Sequence, residues 1–258
     1  MIPLRDLTGT VLALTGATAG IGRETARLLV AEGAKVVAAD WHAESLDAVV
    51  AELSATGAEI VGVQGDVSKR EDAEKIIDEA VAKFGRVDIL CNNAGVMDLN
   101  QGVGELTDEM WQRVLGVDLN GPMFLSRKVV PLMVAQGGGS IVNTASVAGV
   151  GGGAAGAAYT VAKHGLVGLT RQTAFRYALE GVRCNAIAAG AVETNIMQSV
   201  DPNKMDAAGS ARCQAYYAAI PGNLKPEEIA NLALFLASDE AGHINGAIIP
   251  ADAGWTAS

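Results

Sequence analysis

Tyr159 and Lys163 stand at i and i+4 of the segment Tyr159-Thr160-Val161-Ala162-Lys163, so on a helix both side chains leave the same face. A phenol titrates near about 10 in water, and an ammonium held beside it favours the phenolate. Such a pair is a general acid/base for a hydroxyl or a carbonyl near neutral pH. On an ordinary amphipathic helix the same pair would be solvated surface. Here no charged residue occurs between Lys128 and Lys163, and the helix opens out of a Gly/Ala-rich loop. Ser146 lies just past an apolar strand-length run at 140–144, at the carboxyl end of a sheet where α/β proteins bind ligands.

A second constellation is Thr15-Gly16-Ala17-Thr18-Ala19-Gly20-Ile21-Gly22, between an apolar run at 11–15 and a helical stretch at 21–31. Gly16 permits the tight turn, and Gly20 with Gly22 lets the backbone approach a pyrophosphate whose charge meets the free N–H groups of the helix start. Gly16, Thr18, Ala19 and Ile21 are the expected dinucleotide contacts. Asp40 ends the next strand-like run, where a carboxylate accepts both hydroxyls of an adenosine ribose and repels a 2′-phosphate. Neither Thr18, Ala19 nor Trp41 brings the cation that a 2′-phosphate needs, so NAD is expected rather than NADP. Asp66-Val67 closes the third run, with the acid placed for an adenine amino group, although an Asp before a helix also serves as a cap.

The elements that position these residues alternate along the chain. Strand-like runs fall at 11–15, 35–40, 59–64, 87–91, 140–144, 183–188 and 244–249, and helical spacing falls at 21–31, 44–55, 108–117, 123–135 and 157–179. Ser68 and Glu71 predict a capping box opening a helix to 84, and Pro226-Glu227-Glu228 opens a late helix. Strands alternating with helices imply right-handed βαβ units and an α/β fold. That fold is a single doubly wound domain over 1–258 with a mostly parallel, seven-stranded sheet. The least regular segment, 191–223, is the expected lid.

With 19 basic and 29 acidic residues the net charge is −10, which argues against a nucleic-acid or anionic-membrane partner. Cys91, Cys184 and Cys213 form no CxxC pair, so a disulfide framework or zinc ribbon is not expected. His42, His164 and His243 lack metal-ligand spacing, and no metal is expected. The uncharged stretch before Lys163 is punctuated by Pro131 and Gly triplets, unlike a bilayer span. Residues 1–6 show no basic-then-apolar signal pattern, so a cytoplasmic location is the expectation.

Taken in order, Thr15 to Gly22, Asn92-Asn93-Ala94-Gly95, Ser146, and Tyr159 with Lys163 resemble the short-chain dehydrogenase/reductase family over essentially the whole chain. The resemblance implies a Rossmann fold, hydride transfer between NAD(P) and an alcohol or carbonyl substrate, and a homotetramer. It implies that Tyr159 is the acid/base, Lys163 binds the nicotinamide ribose and tunes Tyr159, and Ser146 holds the substrate oxygen. It also places Asn93 beside the adenosine ribose, and Val192 and Thr194 at the carboxamide. The family's fourth catalytic residue, an Asn in Asn-Leu-x-Gly, falls on Asp118 of Asp118-Leu119-Asn120-Gly121. That role runs through the main chain, and the same backbone role is expected of Asp118, with an ionised carboxylate near Lys163 as the alternative. Ala189-Gly190 stands for the family's Pro-Gly, and Asp252-Ala253-Gly254 for its Asp-Gly-Gly.

Three rivals remain at this point. Sugar-nucleotide epimerases of the larger related group carry a separate substrate domain, and enoyl reductases space their Tyr and Lys more widely. A catalytically silent NAD sensor would have no need of Ser146, Tyr159 and Lys163 together.

Overall fold

The computed structural model describes residues 7–257; residues 1–6, which bear on targeting, lie outside the described residues. The strands are β1 (Val11–Thr15), β2 (Lys35–Asp40), β3 (Ile60–Gln64), β4 (Ile89–Asn92), β5 (Gly139–Thr144), β6 (Val182–Ala189) and β7 (Ile248–Ala251). They form one parallel sheet in the order β3-β2-β1-β4-β5-β6-β7. The helices are α1 (Gly20–Ala31), α2 (Ala43–Ser54), α3 (Arg70–Phe84), α4 (Asp108–Leu115), α5 (Gly121–Gln136), α6 (Ala157–Tyr177), α7 (Ala207–Tyr217) and α8 (Pro226–Ala237).

β1 shows why the sheet is covered on both sides. All five of its residues are buried, and successive side chains point to opposite faces. Leu12 and Leu14 join Leu29 of α1 and Ile229 and Leu234 of α8. Val11 and Ala13 join Ile76 and Ile77 of α3 and Leu125 and Val129 of α5. The chain runs from β1 outward to β3 and returns to β4 on the other side of β1, so the order reverses between β1 and β4. That reversal opens a crevice at the carboxyl ends of the strands.

Four local expectations are corrected. β7 begins at Ile248 rather than 244, because Gly246 takes φ 80 and Asn245 Oδ1 accepts the Cys184 N–H at 2.9 Å, turning the chain there. The Ser68–Glu71 box does not form, since the Ser68 hydroxyl donates to Asp66 at 2.7 Å and α3 starts at Arg70. The helical stretches at 108–117 and 123–135 are joined by a single π turn, Gly116–Asn120. Finally, the lid is largely helical. It contains α7 and two 3₁₀ turns, Ile196–Ser199 and Pro202–Lys204. Only Cys213 of α7 is buried, so its sequence carries almost no periodic signal.

Burial pushes the thiols of Cys91 and Cys184 up to about 12, which leaves both as inert core groups. Among the described residues no helix is long and apolar enough to cross a membrane.

Ala253 sits at φ 56, in the left-handed region, where the family pattern has Gly. A Cβ there costs about 1–2 kcal/mol, and Gly returns part of that as chain entropy, about 0.5–1 kcal/mol. Ala253→Gly is therefore expected to stabilise the protein by roughly 0.5–1 kcal/mol, read as a higher urea midpoint. An unchanged or lower midpoint would remove this account of the turn.

Candidate active site

A cavity of about 1640 Å³ lies along the carboxyl ends of the strands, from the tips of β2 and β3 to Tyr159 on α6. It exceeds the roughly 300–1,000 Å³ that encloses one drug-sized ligand. Every expected catalytic or cofactor-contacting residue lines it except Asp118, which lies behind Lys163.

At the β1–α1 turn the N-cap residue, Ala19, makes no side-chain cap, so the first N–H groups of α1 are left for a ligand. Gly22 is required by close approach: a Cβ there would lie 2.0 Å from the Gly16 carbonyl oxygen and 2.6 Å from Asn93 Nδ2. Asp40 receives the Thr18 hydroxyl at 2.8 Å and the Thr18 N–H at 3.2 Å, both on Oδ2, and the His42 N–H at 3.2 Å on Oδ1. It thereby shapes the turn as well as facing the cavity. Trp41, 73% exposed, flanks this end. Asp66 accepts from the Ser68 N–H and O–H in a turn ahead of α3, whose N-cap is Lys69, rather than capping the helix, while Val67 is buried beside it.

Asn93 is a strut. Its Nδ2 donates to the Thr15 and Gly16 carbonyls at 3.2 and 3.1 Å, and its Oδ1 accepts from Thr144 at 3.3 Å. It thus ties the turn after β1 to the tips of β4 and β5. Val192 pairs with Leu224 in a short bridge at the lid entry, and the Thr194 methyl packs on Gly20. An uncapped helix start, an uncharged turn and a strand-end carboxylate fit a dinucleotide.

The reacting end is built on α6. Tyr159 and Lys163 are both buried, and Nζ lies 5.3 Å from the Tyr159 ring centre. Ser146 leaves the end of β5 with its Oγ accepting the Ala148 N–H at 3.1 Å, and its hydroxyl pulls the Tyr159 phenol down. Lys163 Nζ donates to the Thr144 carbonyl at 3.0 Å and lies 3.0 Å from Asp118 Oδ1.

The π turn places the Asp118 side chain here, fully buried, with Oδ2 accepting the Val96 N–H at 3.0 Å. Gly95 leaves room for the pair, since a Cβ on it would stand 2.8 Å from Asp118 Oδ1. The backbone role expected of Asp118 is thus not what its side chain is placed for; the carboxylate faces Lys163.

The electrostatics differ from the simple Tyr–Lys picture. Burial pushes the Tyr159 phenol up, Lys163 pulls it down and Asp118 pushes it up again, leaving it above the ordinary tyrosine value. Lys163 therefore moderates the effect of burial rather than overcoming it. Burial pulls the Lys163 ammonium down, but Tyr159 and Asp118 together outweigh that and hold it above the ordinary lysine value. Burial raises Asp118 against the pull of Lys163 and the Val96 N–H. The pair titrates as one unit.

Sequence reasoning missed Asp98. It is fully buried and accepts the N–H groups of Gly156 at 3.0 Å and Tyr159 at 2.9 Å, capping α6 from the loop after β4. A carboxylate at a helix N-terminus is favoured by the exposed N–H groups and the dipole. Its contacts on α6 are so distant in sequence that no spacing marks them. Beneath the site, Asn92 Nδ2 donates to Asn143 at 2.8 Å and Asn143 Nδ2 to Thr170 at 2.9 Å, joining β4, β5 and α6.

Comparisons with known proteins agree with this architecture. A family model described as Enoyl-(Acyl carrier protein) reductase matches residues 16–256. The chain is 42% identical to 3beta-hydroxysteroid dehydrogenase 2 of Eggerthella lenta over 97% of its own length and 96% of the relative's. It superposes on the crystal structure of levodione reductase with TM-score 0.86 at 36% identity, covering 97% of this chain and 99% of that one. A structure ascribed to an NAD(P) dependent gluconate 5-dehydrogenase from Beutenbergia cavernae, with NADP bound at low occupancy, matches with TM-score 0.86 at 35% identity. That match covers 99% of this chain and 100% of the other.

Proposed function

The chain belongs to the short-chain dehydrogenase/reductase family, and from that premise we propose that it interconverts a secondary alcohol and its ketone with NAD(H). The observation that carries this reading is the Ser146–Tyr159–Lys163 group, with Tyr159 and Lys163 buried and Ser146 half-buried, at the inner end of a dinucleotide-sized crevice. When bound, the nicotinamide supplies the hydride acceptor, the carbinol carbon being oxidised to a ketone as the cofactor is reduced. The protein's own part is to move one proton and hold one oxygen. Tyr159 takes the hydroxyl proton in oxidation and returns it in reduction. Ser146 donates to the substrate oxygen as negative charge develops on it. Lys163 keeps a cation beside the phenol, and Asp118 and the Thr144 carbonyl fix its position. The four-residue Tyr–Lys spacing favours carbonyl over enoyl chemistry, and the intact group disfavours a silent sensor. Exposed Phe175 on α6 and exposed Leu179 in the turn after it support the homotetramer that the family resemblance implies.

NAD over NADP rests on Asp40. Asp40, Asp66 and Asp72 line the adenosine end, and Lys69 there lies 3.9 Å from Asp66. A 2′-phosphate placed at Asp40 would meet carboxylate repulsion. We expect kcat/KM with NAD to exceed that with NADP by at least ten-fold, about 1.4 kcal/mol. Asp40→Ser combined with Trp41→Arg should narrow or reverse the gap. Equal use of both cofactors by the unmodified protein would sink the assignment.

A further inference from the structure

We propose that the substrate is a bulky, uncharged, mainly apolar alcohol or ketone of several fused rings, rather than a hydroxy acid or an open-chain polyol. This rests on the alcohol–ketone reading above and specifies which molecules the same site takes.

The argument starts from charge. Of the charged side chains that line the cavity, Asp40, Asp66, Lys69 and Asp72 stand at the β2–β3 end, and only Arg113 and Lys163 stand towards the reacting end. Both cations are committed. Arg113 Nη1 donates to the Met97 carbonyl at 3.1 Å and Nη2 to the Ser199 carbonyl at 2.6 Å. Its planar fork therefore binds the loop after β4 to the lid. Lys163 is held by Asp118 and Thr144. A carboxylate or phosphate entering here would have to compete for these cations with the Met97, Ser199 and Thr144 carbonyls and with Asp118, and an anion buried without a full partner is strongly unfavourable.

The neutral polar groups are committed too. Tyr217 donates its hydroxyl to the Ala154 carbonyl at 3.1 Å, and Trp255 donates its indole N–H to the Tyr216 carbonyl at 3.1 Å. Ser199 Oγ accepts the Met97 N–H at 3.0 Å. Asn195, Gln198 and Asn223 line the rim from exposed positions, where solvent already serves them. Ser146 and Tyr159 are left, and together they serve one oxygen. A polyol would bury several hydroxyls against saturated partners, each an unpaired loss.

What remains is apolar wall. Trp255 and Tyr217 face the cavity with ring centres 6.3 Å apart, and Tyr216, tilted against Trp255 at 4.7 Å, backs them, which makes a fixed aromatic surface. Met97, Ala154 and exposed Met197 complete it, with methionines able to adjust to an irregular shape. A rigid ring system fills such a space without losing chain freedom on binding.

The test uses the full chain with NAD and four probes: a neutral tetracyclic 3-hydroxysteroid, cyclohexanol, lactate and gluconate. The expected result is a kcat/KM for the steroid at least about 100-fold above each of the others, since each methylene-sized contact in an apolar pocket already discriminates by about ten-fold or more. A preference for lactate or gluconate would overturn the substrate class while leaving the alcohol–ketone reading in place. So would equal use of cyclohexanol and the steroid. Binding is read separately in Tyr159→Phe, by quenching of tryptophan fluorescence with the steroid ketone in the presence of NADH. Saturable binding there is expected. Its absence overturns the pocket assignment whatever the turnover, and binding without turnover of any probe by the unmodified protein would overturn the reaction assigned to the site.

Discussion

Tyr159→Phe is expected to lose at least about a thousand-fold in kcat, within the range that a positioned acid/base supplies, while NADH still binds. The variant removes one hydroxyl and keeps the ring that packs with Ala158, Ala162 and Val114. The backbone of residue 159 stays anchored by its N–H to Asp98, and the Lys163–Asp118 pair is untouched. Far-ultraviolet dichroism and the NADH fluorescence titration should therefore match the unmodified protein. A proton could reach solvent by another route only through a second group at the same oxygen, and Ser146 is the one neighbour placed there. A serine hydroxyl is too weak a base to replace the phenol. Activity retained within ten-fold would show that Tyr159 is not the proton carrier.

The direction of the Tyr159 shift adds a condition. Its phenol lies above the ordinary tyrosine value because burial outweighs Lys163. Oxidation needs the phenolate, so its rate should climb with pH across the neutral-to-alkaline range. Reduction needs the phenol and should fall over the same interval. Opposite limbs in the two directions, both abolished in Tyr159→Phe, would identify one shared group.

Much of this was legible in the sequence because the relevant signals are local. Leu12 and Leu14 against Val11 and Ala13 give β1 two apolar faces, and that pattern alone requires a sheet covered on both sides. The Tyr159–Lys163 spacing fixes a shared helix face, and the Gly-rich turn announces itself between a strand and a helix. The failures share a physical cause. α7 buries one residue and is held by capping and by the Asp98–Gln101 loop rather than by a core stripe, so periodicity cannot find it. Asp98 acts across a loop on a helix far along the chain, and no spacing rule encodes that contact. The orientation of Asp118 depends on a π turn, which inserts a residue into the helix and rotates everything after it. Sequence position alone aimed that carboxylate nowhere in particular.

Asp118 is where the chain departs from its family and where the structure changes the expectation most. Asp118→Ala should cost about 3–5 kcal/mol of stability, the usual result of stripping one partner from a buried ion pair, because Lys163 would keep its charge in a site almost closed to water. Asp118→Asn keeps the shape and an acceptor for Nζ, so its cost should be clearly smaller, and it isolates the electrostatics. The groups facing the phenol are Lys163 on the same helix, Asp118 on the π turn, Ser146 after β5 and Asp98 after β4; Arg113 of α4 acts on Asp118. Removing the Asp118 charge removes one influence that disfavours the phenolate, so the Tyr159 pKa should fall. The rise of the oxidation rate with pH should then begin at lower pH. An opposing effect exists: Lys163 loses an anion that supports its charge. The Thr144 carbonyl still accepts from Nζ, however, so the ammonium should persist. An acid-ward displacement of the rising limb, with NADH affinity unchanged, is the expected result. A limb that stays in place would return Asp118 to the backbone role of the family's asparagine, and an alkaline displacement would mean that Lys163 had lost its proton.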